Sequence, residues 1–409
     1  GGLTSDANVV INECAGVLQY AQTVFEGLKA YTTEDGRIVT FRPDLNAERL
    51  IASSERLEIP AITKEKFLDA IDQVVAANAA FVPPFGSGAT LYIRPYIFAS
   101  NPVIGVKPAE EYQFRIFCTP VGPYFKGGAK PITIKVSDFD RAAPHGTGHI
   151  KAGLNYAMSL HAIMTAHAEG FDENMYLDAA TRTKVEETGG ANILFVTKDN
   201  KVVTPKSDSI LPSITRRSLM TVARDYLGLE VEEREVYFDE VKDFAECGLC
   251  GTAAVISPVG KIYDHGREIS FPAGMKEMGP VTKKLYETLT GIQMGHIEAP
   301  EGWIREIKVK CFSAVSAKRQ PFSAFSRLPR CAPKKYQPAN ADKKPHQTGC
   351  LLSIFFIRIQ ESVFQFPQLL GKIHIIFVRI FKSPQFSPHQ IDLAAAFRLN
   401  LLERRQIID

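Results

Sequence analysis

The stretch "GTGHIKAGLNYAMSL", Gly146 to Leu160, sets three glycines, one lysine, one asparagine and one tyrosine at the head of a helical pattern. A solvated surface lysine needs no such surroundings. Small neighbours let a flat ligand approach the backbone, and the hydroxyl of Tyr156, five residues on, can tune an adduct formed at Lys151. A deprotonated lysine amine condenses with carbonyls, and aldehyde cofactors are held covalently in this way. Taken alone, the stretch is more simply read as a lysine in a loop between a strand and a helix. The segments around it decide.

Downstream, the pattern predicts a helix from about Tyr156 to His167, with Gly170 as its stop. "ENMYLDAATRTKVEET" and "ANILFVTKDNKVVTP" read as hairpins, the second turning at Asp199-Asn200. "LPSITRRSLMTVARDYLG" reads as a helix entered through Pro212, Ser213 and Thr215, and "GTAAVISPVGKI" as a strand after a small-residue turn. Upstream, "VVINECAGVLQY" and "RIVTFRP" read as strands, with Thr33 to Gly36 turning between two such runs. "DLNAERLIASSERL" is a helix for which Asp44 is an acceptable cap, and "TKEKFLDAIDQVVAANAAFV" is an amphipathic helix ended by Pro83-Pro84. "ATLYIRPYIFAS" and "YQFRIFCTPV" look like strands of a shared sheet. The expectation is a mixed α/β, α+β chain: a small domain over 1–121, a Gly- and Pro-rich linker over 122–131, a larger domain over 132–307, and a tail over 308–409.

The 409 residues are 45% hydrophobic and 23% charged, ordinary values for a soluble protein. No apolar run reaches the ~18 residues of a membrane span, so neither a membrane nor a nucleic acid is expected as a partner. Seven cysteines, an odd number in a long chain, argue for a reducing compartment, and the cytoplasm is expected, with an organelle left open. Charge is unevenly spread. Residues 308–409 carry 17 Lys and Arg against 5 Asp and Glu, while the remainder carries 31 against 40. The tail also holds 11 of the 26 Phe but 2 of the 29 Gly. It fits no packed domain and reads as translated non-coding sequence, a frameshift or a fused segment; the alternative is a basic appendage for acidic partners.

If Lys151 holds a phosphorylated aldehyde, an anion site must exist, best built from helix N-terminal amides, hydroxyls and an arginine. Leu211 to Thr215 opens a helix, Gly251-Thr252 offers a hydroxyl and amides in a turn, and Arg49 supplies a guanidinium. An electron-sink pyridine also needs a carboxylate facing its ring nitrogen. Glu186-Glu187, in "VEETGGAN", precede small residues that let a ring lie close. Each of these segments alone has an ordinary structural explanation as a cap or a turn.

Together and in order they resemble a family. "YAQTVFEGLKAY", "FRPDLNAERL", "LYIRPYIFAS", "VGPYFKGG", "RAAPHGTGHIKAGLNY", "EETGGANILFV", "LPSITRRSL" and "GTAAVISPVG" are similar to the motifs of branched-chain amino-acid aminotransferases, fold-type IV enzymes dependent on pyridoxal 5′-phosphate. The resemblance runs from about Asn12 to Ile307. It implies a two-domain fold of the D-amino-acid aminotransferase kind with the active site between the domains. It implies that Lys151 is the Schiff-base lysine and proton shuttle, that Glu187 pairs with the pyridine nitrogen, and that Tyr156 pairs with the phenolic oxygen. Arg49, Leu211, Ile214, Thr215 and Thr252 complete the implied cofactor site. Tyr92, Arg94 and Tyr124 match positions around the substrate, Thr252 and Ala253 border its carboxylate, and Phe25 and Gly27 line the side-chain pocket. Tyr20, Ile104 and Val106 match positions that reach into a partner subunit, so a homodimer is implied. The implied reaction exchanges the amino group of leucine, isoleucine or valine with 2-oxoglutarate, without a metal.

Departures are few. A stretch that precedes the equivalent of Gly1 in the family is expected to be missing, and Ala21 stands where the family has glycine. Cys247 and Cys250 form C-x-x-C, but the redox pair of mammalian mitochondrial relatives falls at Ala254 and Ser257, so these two read as packed thiols. Two other readings stay open: a chain that keeps the cofactor motifs without turnover, and a D-amino-acid aminotransferase, which "FEGLKAY" and "YIRP" fit less well.

Overall fold

The first sheet is six-stranded and antiparallel. Its strands are β1 (Thr23–Phe25), β2 (Leu28–Thr32), β3 (Ile38–Phe41), β4 (Thr90–Ala99) and β5 (Tyr112–Val121), with Ile304–Glu306 added on β3 from far along the chain. The structure is a computed structural model that describes residues 2–122 and 129–309. Tyr124 and most of the linker lie outside the described residues, as does the tail beyond residue 309. β4 organises the sheet, pairing with β5 along one edge and with β1 and β2 end to end along the other. Side chains alternate across a strand. Leu91, Ile93 and Ile97 of β4 therefore enter the core, while Tyr92, Arg94 and Tyr96 stay half-buried on the opposite face.

"VVINECAGVLQY" is not a strand. Residues 9–12 pair with nothing regular, and Gly16–Tyr20 is a short helix, α1, ended by Ala21 at φ 52°. Its valines have β propensity, but strand formation needs a paired neighbour, and Val10 is exposed. The helix over "DLNAERLIASSERL" forms as α2 (Pro43–Arg56), yet Asp44 is not its cap. Pro43 occupies the first turn, where a missing N–H costs nothing, and Arg42 takes the cap position, which leaves Asp44 inside the helix. α3 (Lys64–Ala77) is capped by Thr63, whose hydroxyl accepts from the Lys66 amide. α2 and α3 cover the sheet through Ala47, Leu50, Phe67, Ile71 and Val75.

The second sheet has nine strands: β6 (Ile132–Val136), β7 (Glu173–Leu177), β8 (Val185–Thr188), β9 (Asn192–Val196), β10 (Val202–Pro205), β11 (Val231–Arg234), β12 (Glu246–Gly251), β13 (Val255–Asp264) and β14 (Arg267–Ser270). Both predicted hairpins are present, and Asn200 turns the second at φ 65°. The sheet is mixed, with β6 parallel to β7 and β13, and it is buried on both faces. In β9, Ile193 and Phe195 join one core while Leu194 and Val196 join the other. The same alternation in β12 sends Cys247 and Cys250 to opposite faces, each buried, so the two thiols pack in separate cores. Burial pushes the Cys250 thiol up to about 12 and also lifts Cys247 well above the usual thiol range.

α4 (Gly153–Ala168) begins three residues earlier than expected, and Gly170 follows it at φ 91°. α5 (Ile214–Thr221) is capped by Ser213, whose hydroxyl accepts from the Arg216 amide, and α6 (Pro280–Met294) seals the second core with Val281, Leu285, Leu289 and Ile292. Among the described residues no helix is long and apolar enough to cross a membrane.

Candidate active site

Lys151 lies in the last residues before α4, where its backbone is held from both sides. Its amide donates to the Ser53 hydroxyl of α2, and its carbonyl accepts from the Phe25 amide of β1. The half-buried Nζ donates to the Tyr156 hydroxyl at 2.8 Å, on the first turn of α4, and lies 4.9 Å from the Phe25 ring centre. Phe25 and Tyr156 meet edge to face at 5.0 Å. The lysine and tyrosine picked out by their spacing are thus brought together.

One turn before Ser53 on the same face of α2 is Arg49. Its Nε and Nη2 grip both oxygens of Glu26, a carboxylate with no exposed surface, at 2.7 and 2.8 Å. Its Nη1 donates to the Pro212 carbonyl at the mouth of α5. A guanidinium has five N–H donors in a fork, so this grip leaves one N–H on each terminal nitrogen for a further acceptor. The first turn of α5, with Ile214 and Thr215, contributes amides that its own helix does not use.

Glu187 stands on β8, 2% exposed. It accepts from the Leu211 amide at 2.8 Å and from the Asn192 side chain at 2.7 Å, and pairs with Arg141 at 3.0 Å. Burial dominates and pushes its carboxyl up to about 7, against the opposing pull of Arg141 and the two donors. Tyr156 and Glu187 both lie close enough to act electrostatically on Arg49. The predicted cofactor residues Lys151, Tyr156, Arg49, Glu187, Leu211, Ile214 and Thr215 therefore form one neighbourhood.

On β4, Arg94 donates to the Tyr92 hydroxyl at 2.8 Å and lies over the Phe25 ring at 4.6 Å. Gly27 sits beneath Tyr92 so closely that a Cβ there would stand 2.2 Å from the phenol oxygen. Lys29, cross-strand from Tyr92, donates from Nζ to the Ala253 carbonyl at 2.7 Å, and so ties β2 to the turn carrying Thr252 and Ala253. Desolvation holds the Lys29 amine down at about 8. Just past that turn, Val255 has φ 63°, a strained conformation for a β-branched residue. Tyr20, Ile104 and Val106 stand on the surface of the single chain, 44%, 68% and 89% exposed.

Glu26, Lys29, Arg141 and Asn192 are the site's additions to the residues read from sequence. Only Glu26 carries a local signal, an acid between apolar Val24-Phe25 and Gly27-Leu28 in "VFEGL". The contacts of the other three were not legible. Lys29 meets a residue 224 positions away. Among the described residues no group of three or more His, Cys, Asp or Glu side chains is placed to hold a metal ion.

The pattern of the family described as amino-transferase class IV matches residues 23–262. A branched-chain-amino-acid aminotransferase of Haemophilus influenzae is 50% identical over 313 residues, covering 75% of this chain and 91% of that protein. The crystal structure of a branched-chain aminotransferase from Thermoproteus uzoniensis with norvaline superposes with a TM-score of 0.66 at 28% identity, covering 75% of this chain and 97% of the other. The crystal structure of a branched-chain amino acid aminotransferase from Thermobaculum terrenum in PLP form (holo-form) superposes with a TM-score of 0.63 at 28% identity, covering 74% and 94%.

Proposed function

This chain belongs to the class IV aminotransferases, in the branched-chain amino-acid aminotransferase family with its fold-type IV architecture, and on that premise we propose how its residues work. The reaction is transamination of leucine, isoleucine and valine with 2-oxoglutarate, giving branched-chain 2-oxo acids and glutamate. The observation that carries this reading is the Lys151 amine, 2.8 Å from the Tyr156 phenol, in a neighbourhood that also holds the buried Glu187 carboxylate and the buried Arg49 guanidinium.

The donor set fits pyridoxal 5′-phosphate. It offers an amine for the aldehyde, a buried carboxylate for a protonated ring nitrogen, and a guanidinium fork with helix N-terminal amides for a phosphate. When bound, pyridoxal phosphate supplies a carbonyl for the amine and a ring that accepts an electron pair.

The protein's own steps follow from its residues. Lys151 Nζ is the base that would take the substrate's α-proton and return it. Tyr156 orients Nζ through their hydrogen bond. Glu187, as an anion, keeps the ring nitrogen protonated. Arg49, the amides of Ile214 and Thr215, and the Thr252 hydroxyl would hold the phosphate, and Leu211, whose amide holds Glu187, would border the cofactor. Phe25 and Gly27 receive an apolar side chain, while Tyr92 and Arg94 offer donors that suit the second carboxylate of 2-oxoglutarate. Thr252 and Ala253 orient the α-carboxylate.

We read the two sheets as the small and large domains, with the site drawn from both. The enzyme works as a homodimer in which Tyr20, Ile104 and Val106 reach the neighbouring site. Met158, Leu160 and Met164, all exposed on α4, support an assembled state that covers apolar surface. A reducing, cytoplasmic setting suits its free thiols.

The test is an absorbance titration. Purified chain mixed with pyridoxal phosphate gives a visible band that bleaches with leucine and returns with 2-oxoglutarate. A band indifferent to leucine refutes the turnover reading and favours a chain that keeps its cofactor motifs alone. Bleaching by D-amino acids in preference to leucine moves the assignment to the D-type relatives.

A further inference from the structure

Arg141 opens the loop "RAAPHGTGHIK" ten residues before Lys151, and its side chain is turned inward, 4% exposed. A buried guanidinium is tolerated only where acceptors surround it. Here three do. Nη1 lies 3.0 Å from the Gly148 carbonyl, 3.3 Å from the Ser209 carbonyl and 3.0 Å from Glu187 Oε1. These acceptors belong to the Lys151-bearing loop, the loop that enters α5, and β8. The two loops come so close at this point that a Cβ on Gly148 would stand 2.1 Å from the Ser209 carbonyl oxygen. Two carbonyls turned towards one another repel unless a cation sits between them, and Arg141 is that cation.

Building on the cofactor site proposed above, we propose that Arg141 is a positioning residue with two linked tasks. It favours the anionic form of Glu187 against the opposing pull of burial, and it clamps the Lys151-bearing loop against the loop leading into α5. The charged and titratable groups around Glu187 give Arg141 this role by elimination. Glu186, its neighbour on β8, opposes ionisation, and so does Cys250 of β12 were it to lose its proton. Leu211 and Asn192 are uncharged donors. Arg49 of α2 acts from a greater distance and is already committed to both oxygens of Glu26. Among the described residues only Arg141 brings a full positive charge into direct contact. Burial favours the neutral acid strongly enough that losing this contact leaves Glu187 protonated at neutral pH. A neutral acid offers a ring nitrogen no charge to keep its proton.

The test uses the apoprotein with pyridoxal phosphate as the probe, comparing the parent with Arg141→Met across pH 6.5 to 9 by absorbance titration. The quantity read is the ratio of variant to parent dissociation constants. We expect this ratio to be about 10-fold or more at pH 7 and to fall as pH rises and Glu187 ionises without help. Arg141→Lys, which keeps the charge but not the fork, should show a smaller ratio with the same direction of change, and it carries the test if the methionine variant does not fold. A ratio near one overturns the inference. So does a raised ratio that stays constant with pH, because a purely structural lesion weakens binding equally at every pH. A parent chain that forms no visible band sinks the cofactor reading itself, whereas a binding parent with a flat ratio sinks only the role of Arg141.

Discussion

Gly148→Ala is the most demanding check on how closely the loops of the site must meet. The added methyl would stand 2.1 Å from the Ser209 carbonyl oxygen, 2.9 Å from the carbonyl carbon and 3.0 Å from Ala142 Cβ. Two of these neighbours are backbone, and the third is a methyl group with no rotamer to change. Ordinary contact therefore requires the loops to part by about 1 Å or more. Overpacking of this kind costs about 1–3 kcal/mol. The chemical cost is larger, because a displacement of about 1 Å in a catalytic group can cost about 100-fold in rate. Thermal unfolding with and without pyridoxal phosphate, followed by the leucine half-reaction, measures both effects. Gly153→Ala is the internal control: its methyl meets only Thr23 Cγ2 at 3.4 Å, an ordinary contact, so stability and rate should stay near the parent's. A Gly148→Ala protein within about 0.5 kcal/mol of the parent, with parental cofactor affinity and rate, would refute the close-approach argument.

Lys151→Ala should abolish transamination while leaving the melting profile of the apoprotein close to the parent's, since the half-buried amine makes one side-chain hydrogen bond; turnover near the parent rate would sink the assignment. Gly27→Ala displaces the Tyr92 hydroxyl rather than backbone and breaks its bond from Arg94, so KM for substrates should rise several-fold with little loss of stability, as steady-state kinetics would show. Glu187→Gln removes a carboxyl that burial has raised from 4.5 to about 7. A raised carboxyl stabilises fully below its unfolded value, and that contribution is lost as pH climbs through about 7. Relative to the parent, the Gln apoprotein should therefore gain up to about 3 kcal/mol between pH 4 and pH 8 while losing activity, measured as denaturant midpoints at the two pH values. A parent and variant with parallel pH dependence would contradict the burial argument.

The chemistry of the site was legible where it rests on residues close in sequence. Lys151 and Tyr156 are five apart and fall on one loop-to-helix junction, so their contact follows from local geometry. The hairpins were legible for the same reason, as was the entry to α5 through Pro212, Ser213 and Thr215, of which Ser213 is the cap. "VVINECAGVLQY" misled because β propensity registers side-chain shape, whereas a strand exists only where another strand supplies hydrogen bonds. Asp44 misled because proline in the first turn moved the helix start two residues earlier than an Asp44 cap would place it. Arg141, Asn192 and Lys29 gained their places from tertiary contacts that no spacing rule encodes. The C-x-x-C pair illustrates the converse: period-two alternation in a strand puts positions three apart on opposite faces, so once β12 was a strand the two thiols could not meet.

The strand Ile304–Glu306 also bears on how this protein acquires its shape. It completes a sheet whose other five strands all precede residue 122, and Trp303 beside it receives the Arg42 amide on its carbonyl and packs edge-on against Phe41. A ribosome releases the early strands long before their last partner exists. While the second sheet is being made, β3 waits with one edge unpaired, and an unpaired edge is where chains find the wrong neighbour. The last pairing of the first sheet is thus a long-range closure, made only after the strands of the second sheet, which pair mostly between neighbours in sequence, have been synthesised.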